Sequence, residues 1–305
     1  MICSICPRHC NVDRSVNLGF CQSPDNFRVA RAALHFWEEP CISGRGGSGT
    51  VFFSGCSLKC VYCQNYDVSH GNFGKEISVQ RLAEIFLELV KKTISDDKLI
   101  SIFENLISQG ANNINLVNPT HYAKRLAKVL GRWKSPVPIV YNSSGYEEVE
   151  TLKALDGLID IYLPDLKYIR AEKAMRYSKA ADYFEKASAA LLEMRRQVED
   201  KFDGDIMKSG MIIRHLILPQ NTNSSIAVLD FIKSNFPNTF VSLMAQYTPC
   251  GDLSEFPEIN RKITKREYEK VVNYAFDNSF DKLFIQELSS ADKSFIPKFD
   301  FTGVL

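Results

Sequence analysis

The sequence predicts an α/β protein built as a partial, open (β/α)6 barrel of the TIM type. Short apolar runs alternate with amphipathic stretches along the chain, which is the pattern of parallel strands joined by helices through right-handed crossovers. The chain has 305 residues, of which 45% are hydrophobic and 24% charged. It can therefore bury the core of one large domain.

Apolar runs bounded by polar or glycine-rich residues predict the strands. In chain order these strands are 50–54, 113–118, 137–142, 158–165, 211–218, 240–246 and 282–286. Apolar residues at three- and four-residue steps predict helices between them. These helices are 79–92, 101–108, 121–130, 146–155, 182–198, 224–235 and 265–275.

Three cysteines, Cys56, Cys60 and Cys63, follow the first predicted strand with the spacing C-x3-C-x2-C. Three thiolates hold three irons of a [4Fe–4S] cubane, so a cluster bound here leaves one iron open to an outside ligand. Gly55 allows the tight turn that leads into the loop. The alternative is a structural zinc site with a fourth ligand elsewhere, although zinc cysteines usually come as C-x2-C pairs.

A second group of cysteines opens the chain: Cys3, Cys6, Cys10 and Cys21. Four thiolates complete a tetrahedral shell, so this group predicts a structural zinc site or an auxiliary iron–sulfur cluster with no open position. Zinc is the interpretation we favour, and His9 is a candidate substitute for one thiolate. Cys41, in contrast, is predicted to be a buried or loop thiol in preference to a ligand.

Polar residues gather where the predicted strands end. Active sites of parallel barrels lie at the carboxyl ends of the strands, so these residues predict a site at that rim. The candidates are Asn115, Asn118, Asn142, Ser143, Asp165, Lys167 and Arg214. Since adjacent residues of a strand face opposite sides, only one of Arg214 and His215 points inward, and we expect it to be Arg214.

The amino-acid composition limits the classes of binding partner and the cellular compartment that we expect for this protein. The 37 basic and 36 acidic residues give a net charge of +1, which provides no global attraction for nucleic acid or for an anionic membrane. No run of 18 apolar residues occurs, and the first residues do not resemble a signal peptide. Nine cysteines in uneven clusters suit metal binding in a reducing compartment. We therefore expect a cytoplasmic protein.

The cysteine loop, with Tyr62 before its third cysteine, resembles the cluster loop of the radical S-adenosylmethionine (SAM) superfamily. Within it, the runs beginning at Asn142, Asp165 and Arg214 resemble those of the activases of glycyl radical enzymes. This resemblance covers roughly residues 45 to 290. It implies a radical SAM barrel at 45–290, preceded by a cysteine-rich extension (1–44) and followed by a tail (291–305).

The resemblance also implies roles for the rim residues. Asn142, Ser143 and Asp165 occupy the positions that hold a monovalent cation in the activases, and Asn142 replaces an aspartate, which removes one negative charge.

Lys167 and Arg214 are the implied partners of the methionyl carboxylate, with an ion pair to a nearby acid as the alternative. Asn115 and Asn118 are the implied acceptors for the methionyl amine, in place of a Gly-Gly-Glu segment.

In the superfamily, the SAM amine and carboxylate bind the open iron, and an electron from the cluster releases a 5′-deoxyadenosyl radical. The activase resemblance implies that this radical removes a hydrogen atom from a glycine of a partner protein. An electron donor such as flavodoxin or ferredoxin is then required. Two alternatives remain: radical chemistry on a small metabolite or peptide side chain, and a zinc-binding interaction module.

Overall fold

The computed structural model describes residues 2–70, 93–94, 96–292 and 296–304. Within these residues ten strands form one sheet. They are β1 (Phe27–His35), β2 (Ser48–Phe53), β3 (Thr93–Ile94), β4 (Ile114–Val117), β5 (Ile139–Ser143), β6 (Ile161–Pro164), β7 (Lys201–Asp203), β8 (Ile206–Leu216), β9 (Phe240–Met244) and β10 (Leu283–Ile285).

Nine α-helices lie within the same described residues. They are α1 (Pro40–Ser43), α2 (Tyr66–His70), α3 (Asp96–Ser108), α4 (Ala123–Arg132), α5 (Val149–Lys153), α6 (Ala171–Ser178), α7 (Tyr183–Gln197), α8 (Thr222–Asn235) and α9 (Lys265–Asp277). The predicted helix at 79–92 lies outside the described residues. None of the described helices is long and apolar enough to cross a membrane.

The predicted barrel is confirmed as an open parallel sheet. The strands β2, β4, β5, β6, β8, β9 and β10 pair in that order, each parallel to its neighbour. All seven predicted strands are present, joined by six crossovers. In the described sheet β2 pairs with β1 on its other side, and β10 pairs with β9 alone, so the two ends do not meet.

Three antiparallel strands, β1, β3 and β7, were missing from the prediction. Strand β1 pairs with β2 from Val29–Phe53 to His35–Ser48, β3 pairs with β1, and β7 pairs with β8. The β1 sequence carries arginines and several alanines, which have weak strand propensity, so pairing with a buried neighbour decides its structure. The helix predicted at 146–155 is also shorter than expected: α5 covers only Val149–Lys153.

The chain between β1 and β2 closes the amino-terminal end of the barrel. Cys41 and Ile42 of α1 are buried against the inward-facing Val140, Ile161 and Ile212. The side chains of two asparagines just before β4 donate hydrogen bonds to the carbonyl oxygens of Ser43 and Ile42, at 2.6 and 2.7 Å. This segment therefore forms an apolar floor, and Cys41 is buried as predicted.

The expected orientation of Arg214 is confirmed by its neighbour. His215 faces the outer side of the sheet, where its imidazole bonds to the Leu166 carbonyl at 2.7 Å and to the Ser225 hydroxyl of α8 at 2.9 Å. Burial is the main cause that lowers the pKa of His215 to about 4. The ring is therefore neutral and ties β8 to α8.

We predict that His215 makes the stability of the fold acid-sensitive. Its pKa is about 4 in the folded protein and 6.5 ordinarily, so its contribution is complete above pH 6.5 and is lost as the pH falls toward 4. Urea unfolding at these two pH values should show the wild type losing about 3 kcal/mol more than His215→Asn. Equal losses in both proteins would contradict this assignment.

Candidate active site

A cavity of about 530 Å³ opens at the carboxyl ends of the parallel strands. Cys60 and Cys63 form part of its wall, together with Lys167, which follows β6, and Arg214 on β8. The cavity therefore brings the cysteine loop together with the two predicted cationic side chains.

The cysteine loop leaves β2 through a turn that only glycine fits. Gly55 has a φ of +86°, and a Cβ atom on it would lie 2.0 Å from the Ser23 hydroxyl and 2.4 Å from the Cys21 carbonyl oxygen. Such distances are far inside van der Waals contact, so a side chain here would displace the loop. The loop is thus pressed against residues 21–23 of the N-terminal segment.

The three cysteines of the loop are buried or nearly so. The Cys56 sulfur accepts the backbone N–H groups of Leu58 and Lys59, at 3.3 and 3.4 Å. Burial raises the pKa of the Cys56 thiol and raises that of Cys63 to about 12. Buried thiolates require nearby positive charge, and the irons of a cluster supply it when bound, so these three residues fit a cluster.

A chain of hydroxyl groups supports Cys60 from behind. The Ser178 hydroxyl donates to the Cys60 sulfur at 3.1 Å and bonds to the Tyr168 hydroxyl at 2.9 Å. The Tyr168 hydroxyl in turn lies 2.6 Å from that of Tyr62, the aromatic residue of the cysteine loop. This network explains why an aromatic with a polar end suits position 62.

Arg8 fastens the N-terminal segment to the same loop. Its guanidinium donates to the carbonyl oxygens of Ser57 at 2.8 Å and Ser178 at 2.9 Å, and to that of Lys179 at 2.5 Å. The guanidinium also lies 4.0 Å from the centre of the Phe20 ring. One side chain therefore holds both the cysteine loop and the end of α6, a role that the sequence analysis missed.

The second group of cysteines lies directly behind this loop. Cys6 and Cys21 are buried, and the Cys10 sulfur accepts the Phe20 N–H at 3.2 Å. Burial raises the pKa of the Cys21 thiol, and the nearby Cys3 and Cys10 raise it further. The folding of residues 3–21 thus brings Cys3 and Cys10 near enough to Cys21 to affect its pKa.

His9, the candidate substitute ligand, bonds instead to Glu148 at 2.8 Å. Within the described residues, no three histidine, cysteine or acidic side chains are close enough together to hold one metal ion.

The two cations of the cavity share one carboxylate. Arg214 lies 3.0 Å from Asp165 and donates to the Asn142 side-chain oxygen at 2.6 Å, and the Lys167 ammonium lies 2.6 Å from Asp165. Burial acts to raise the pKa of Asp165, but Lys167 and Arg214 outweigh it and lower that pKa. Asp165 is therefore ionised, as an acceptor for both cations.

Glu38 and Glu39, which the sequence analysis missed, enter the cavity from its floor. The Glu38 carboxylate accepts the side-chain amides of Asn115 at 3.0 Å and Asn142 at 3.4 Å, and lies 3.4 Å from Arg214. Burial raises the pKa of Glu38, and Arg214 opposes that rise. Two adjacent acids just before the buried segment at 40–43 were the available signal for this site.

The structure thus brings Asn115, Asn142, Asp165, Lys167 and Arg214 together, but the side chains of two other candidates serve turns. The Asn118 amide donates to the Gly55 carbonyl and so supports the cysteine loop. The Ser143 hydroxyl accepts the Gly145 N–H at 3.2 Å.

His121 is also a structural residue. Its ring bonds to the Ser54 carbonyl at 2.9 Å, and burial lowers its pKa to about 3, so it is neutral. This contact ties His121, which follows β4, to the chain directly after β2.

Comparison with known proteins extends these observations. Residues 42–178 match the family model described as a 4Fe-4S single cluster domain. Over 285 residues the chain is 31% identical to uncharacterized protein MJ0674 of Methanocaldococcus jannaschii, covering 92% of this chain and 76% of that protein. It is also 32% identical over 139 residues to a provisionally named glycyl-radical enzyme activating enzyme of Haemophilus influenzae, covering 41% of this chain and 43% of that protein.

Among solved structures, the chain is similar to methylornithine synthase PylB, with 13% identity and a TM-score of 0.48 over 82% of this chain and 68% of that one. It is similar to SuiB of Streptococcus suis with 15% identity and a TM-score of 0.45, over 80% of this chain and 50% of that one. The chain therefore spans about half the length of SuiB.

The open parallel barrel, with a cysteine loop after its first parallel strand, is an α/β fold whose residues 42–178 match a 4Fe-4S single cluster domain. Over most of its length the chain belongs to the same family as uncharacterized protein MJ0674 of Methanocaldococcus jannaschii.

We predict that Arg8 contributes to the stability of this arrangement. The Arg8→Gln substitution removes the guanidinium that donates to the carbonyl oxygens of Ser57, Ser178 and Lys179. The free energy of unfolding in urea should fall by about 2 kcal/mol, and a chelator should extract iron from the protein faster. The exposed control Arg170→Gln should change neither quantity. Identical behaviour of the two variants would refute the role of Arg8.

Proposed function

We propose that this enzyme cleaves SAM reductively at a [4Fe–4S] cluster held by Cys56, Cys60 and Cys63. The observation that carries the proposal is the placement of these three cysteines beside a cavity that also contains buried cations. When bound, the cluster and SAM supply the electron transfer and the carbon radical that removes a hydrogen atom from the substrate.

Lys167 and Arg214 are the proposed binding groups for the methionyl carboxylate. Both are held by Asp165, so their positions are set before any ligand enters. Burial acts to lower the pKa of Lys167, but the charge of Asp165 outweighs it and raises that pKa. The charges of Cys60 and Cys63 raise it further, so the Lys167 ammonium lies near both cysteines. An ammonium has three donors, and the bond to Asp165 leaves two for a ligand. Glu38 holds the side chains of Asn115 and Asn142 in place. We propose these two side chains as further contacts of the methionyl group.

We propose a segment of a partner protein as the substrate, with the α-carbon of a glycine as the target. The likeness to the provisionally named activating enzyme supports this proposal, as does a cavity that opens at the strand ends. The electron would come from a donor such as flavodoxin or ferredoxin.

The second proposed metal site is formed by Cys3, Cys6, Cys10 and Cys21. Support comes from the burial of two of these thiols and from the electrostatic effect of Cys3 and Cys10 on Cys21. A metal here would stiffen the segment that carries Arg8, behind the cysteine loop. Zinc or an auxiliary iron–sulfur cluster would each satisfy four thiolates.

We predict that 5′-deoxyadenosine formation depends on the loop cysteines. After anaerobic reconstitution and reduction with dithionite in the presence of SAM, the wild type should form deoxyadenosine, and Cys60→Ala should lose at least 100-fold of the rate. Cys250→Ala, a cysteine outside both groups, serves as the matched control and should retain activity. Product formation by Cys60→Ala at the wild-type rate would refute the mechanism.

We predict that the two cysteine groups bind metal separately. Elemental analysis of anaerobically purified protein should give about four irons and four sulfides for the loop, plus metal at the second site. Cys6→Ser should lower only the second metal, whereas Cys60→Ala should lower the four irons. Zinc at both groups with no sulfide would instead identify a zinc-binding interaction module.

A further inference from the structure

Three acceptors in the cavity wall or next to it have no hydrogen-bond donor among the described residues. Among the described residues, one carboxylate oxygen of Glu39 and the side-chain oxygens of Asn115 and Gln286 have no hydrogen-bond partner. Glu39 is only 8% exposed and Asn115 is fully buried, while Glu39 and Gln286 line the cavity. Leaving such groups unpaired away from water is costly, so their arrangement points to a ligand that donates hydrogen bonds.

The side chains of Arg214 and Lys167 do not supply the missing donors, because their nitrogens contact other groups. The three nitrogens of the Arg214 guanidinium contact Asp165, Glu38 and Asn142, and the Lys167 ammonium contacts Asp165. In this part of the described structure, three carboxylates (those of Glu38, Glu39 and Asp165) therefore share two cations. Burial raises the pKa of Glu39 and Arg214 opposes that rise. Within the described part of the chain, Arg214 forms its ion pairs with Glu38 and Asp165 instead of Glu39.

The unpaired acid lies below the cysteine loop in the cavity. Ser242 is close enough to Glu39 to act on the pKa of that carboxyl, and Ser242 is paired with Arg214 in the sheet. Two residues further along the same strands, the pair Leu216–Met244 reaches the rim where Cys60 lies. Two residues of strand span about 7 Å, so Glu39 lies about that far below the rim.

We propose that Glu38 and Glu39, which we call the acid pair, bind the ammonium or guanidinium group of the substrate. An ammonium offers three donors and one positive charge, which match the unpaired acceptors and the excess carboxylate. With its cationic group held at this depth, the substrate presents carbon atoms higher in the cavity, near the cysteine loop. The inference rests on the proposed function and specifies the substrate as one with a basic group.

The test measures binding in the anaerobically reconstituted protein, without turnover. The probe is Nα-acetyl-lysine methylamide, and its Nε-acetylated form is the neutral control of similar shape. By isothermal titration calorimetry, with S-adenosylhomocysteine present at saturation, the wild type should bind the charged probe at least tenfold more tightly than the neutral one. Glu39→Gln and Glu38→Gln should each remove most of that difference, and the exposed control Glu172→Gln should retain it.

Three results would overturn the inference: equal affinity for the two probes, full discrimination in folded Glu39→Gln, or binding of the charged probe only in a titration without S-adenosylhomocysteine. The last result would assign the acid pair to the amine of the cofactor. Thermal melting shows that each variant folds, and Glu38→Gln provides a second test if Glu39→Gln does not. Failure here leaves deoxyadenosine formation intact, whereas failure of the proposed function abolishes it.

Discussion

Carboxylates buried in a barrel must each find a compensating donor, and this requirement organises the cavity. Asp165 is compensated by Lys167 and Arg214, and Glu38 by Arg214 with two asparagine amides. Because Glu38 comes from the segment before β2, the cavity is complete only when that segment closes the floor. A barrel that began at residue 45 would lack the acid that joins Asn115, Asn142 and Arg214. The segment before β2 therefore belongs to the same structural unit as the barrel, because its Glu38 pairs with Arg214 of the sheet.

The cysteine loop is held by contacts on its far side. Gly55 fits against Ser23 because it has no side chain, and Arg8 binds carbonyl oxygens of the loop and of α6. These contacts place the loop without using its sulfur atoms, which are then available for metal. The cysteine-rich start of the chain thus supports the candidate cluster site, and an additional metal there would reinforce a support that hydrogen bonds already provide.

Much of this architecture could be predicted from local patterns. Buried parallel strands are short apolar runs, so all seven were found, and strand alternation correctly separated inward Arg214 from outward His215. Strand β1 was missed because its arginines and alanines are a weak strand signal. Glu38 was missed for a different reason: its contact with Arg214 joins residues 176 positions apart, and no local pattern encodes such a pairing. Contacts between residues so far apart in sequence can be identified only from the three-dimensional structure.

The most direct test of the central claim is Mössbauer spectroscopy of protein reconstituted with ⁵⁷Fe, before and after addition of SAM. Three cysteine ligands leave one iron of a cubane without a thiolate, so one quarter of the signal of the loop cluster should change when SAM binds. The other three quarters of that signal, and any iron at the second site, should keep their parameters. A spectrum in which no iron responds to SAM, or in which no four-iron cluster is present, would contradict the account.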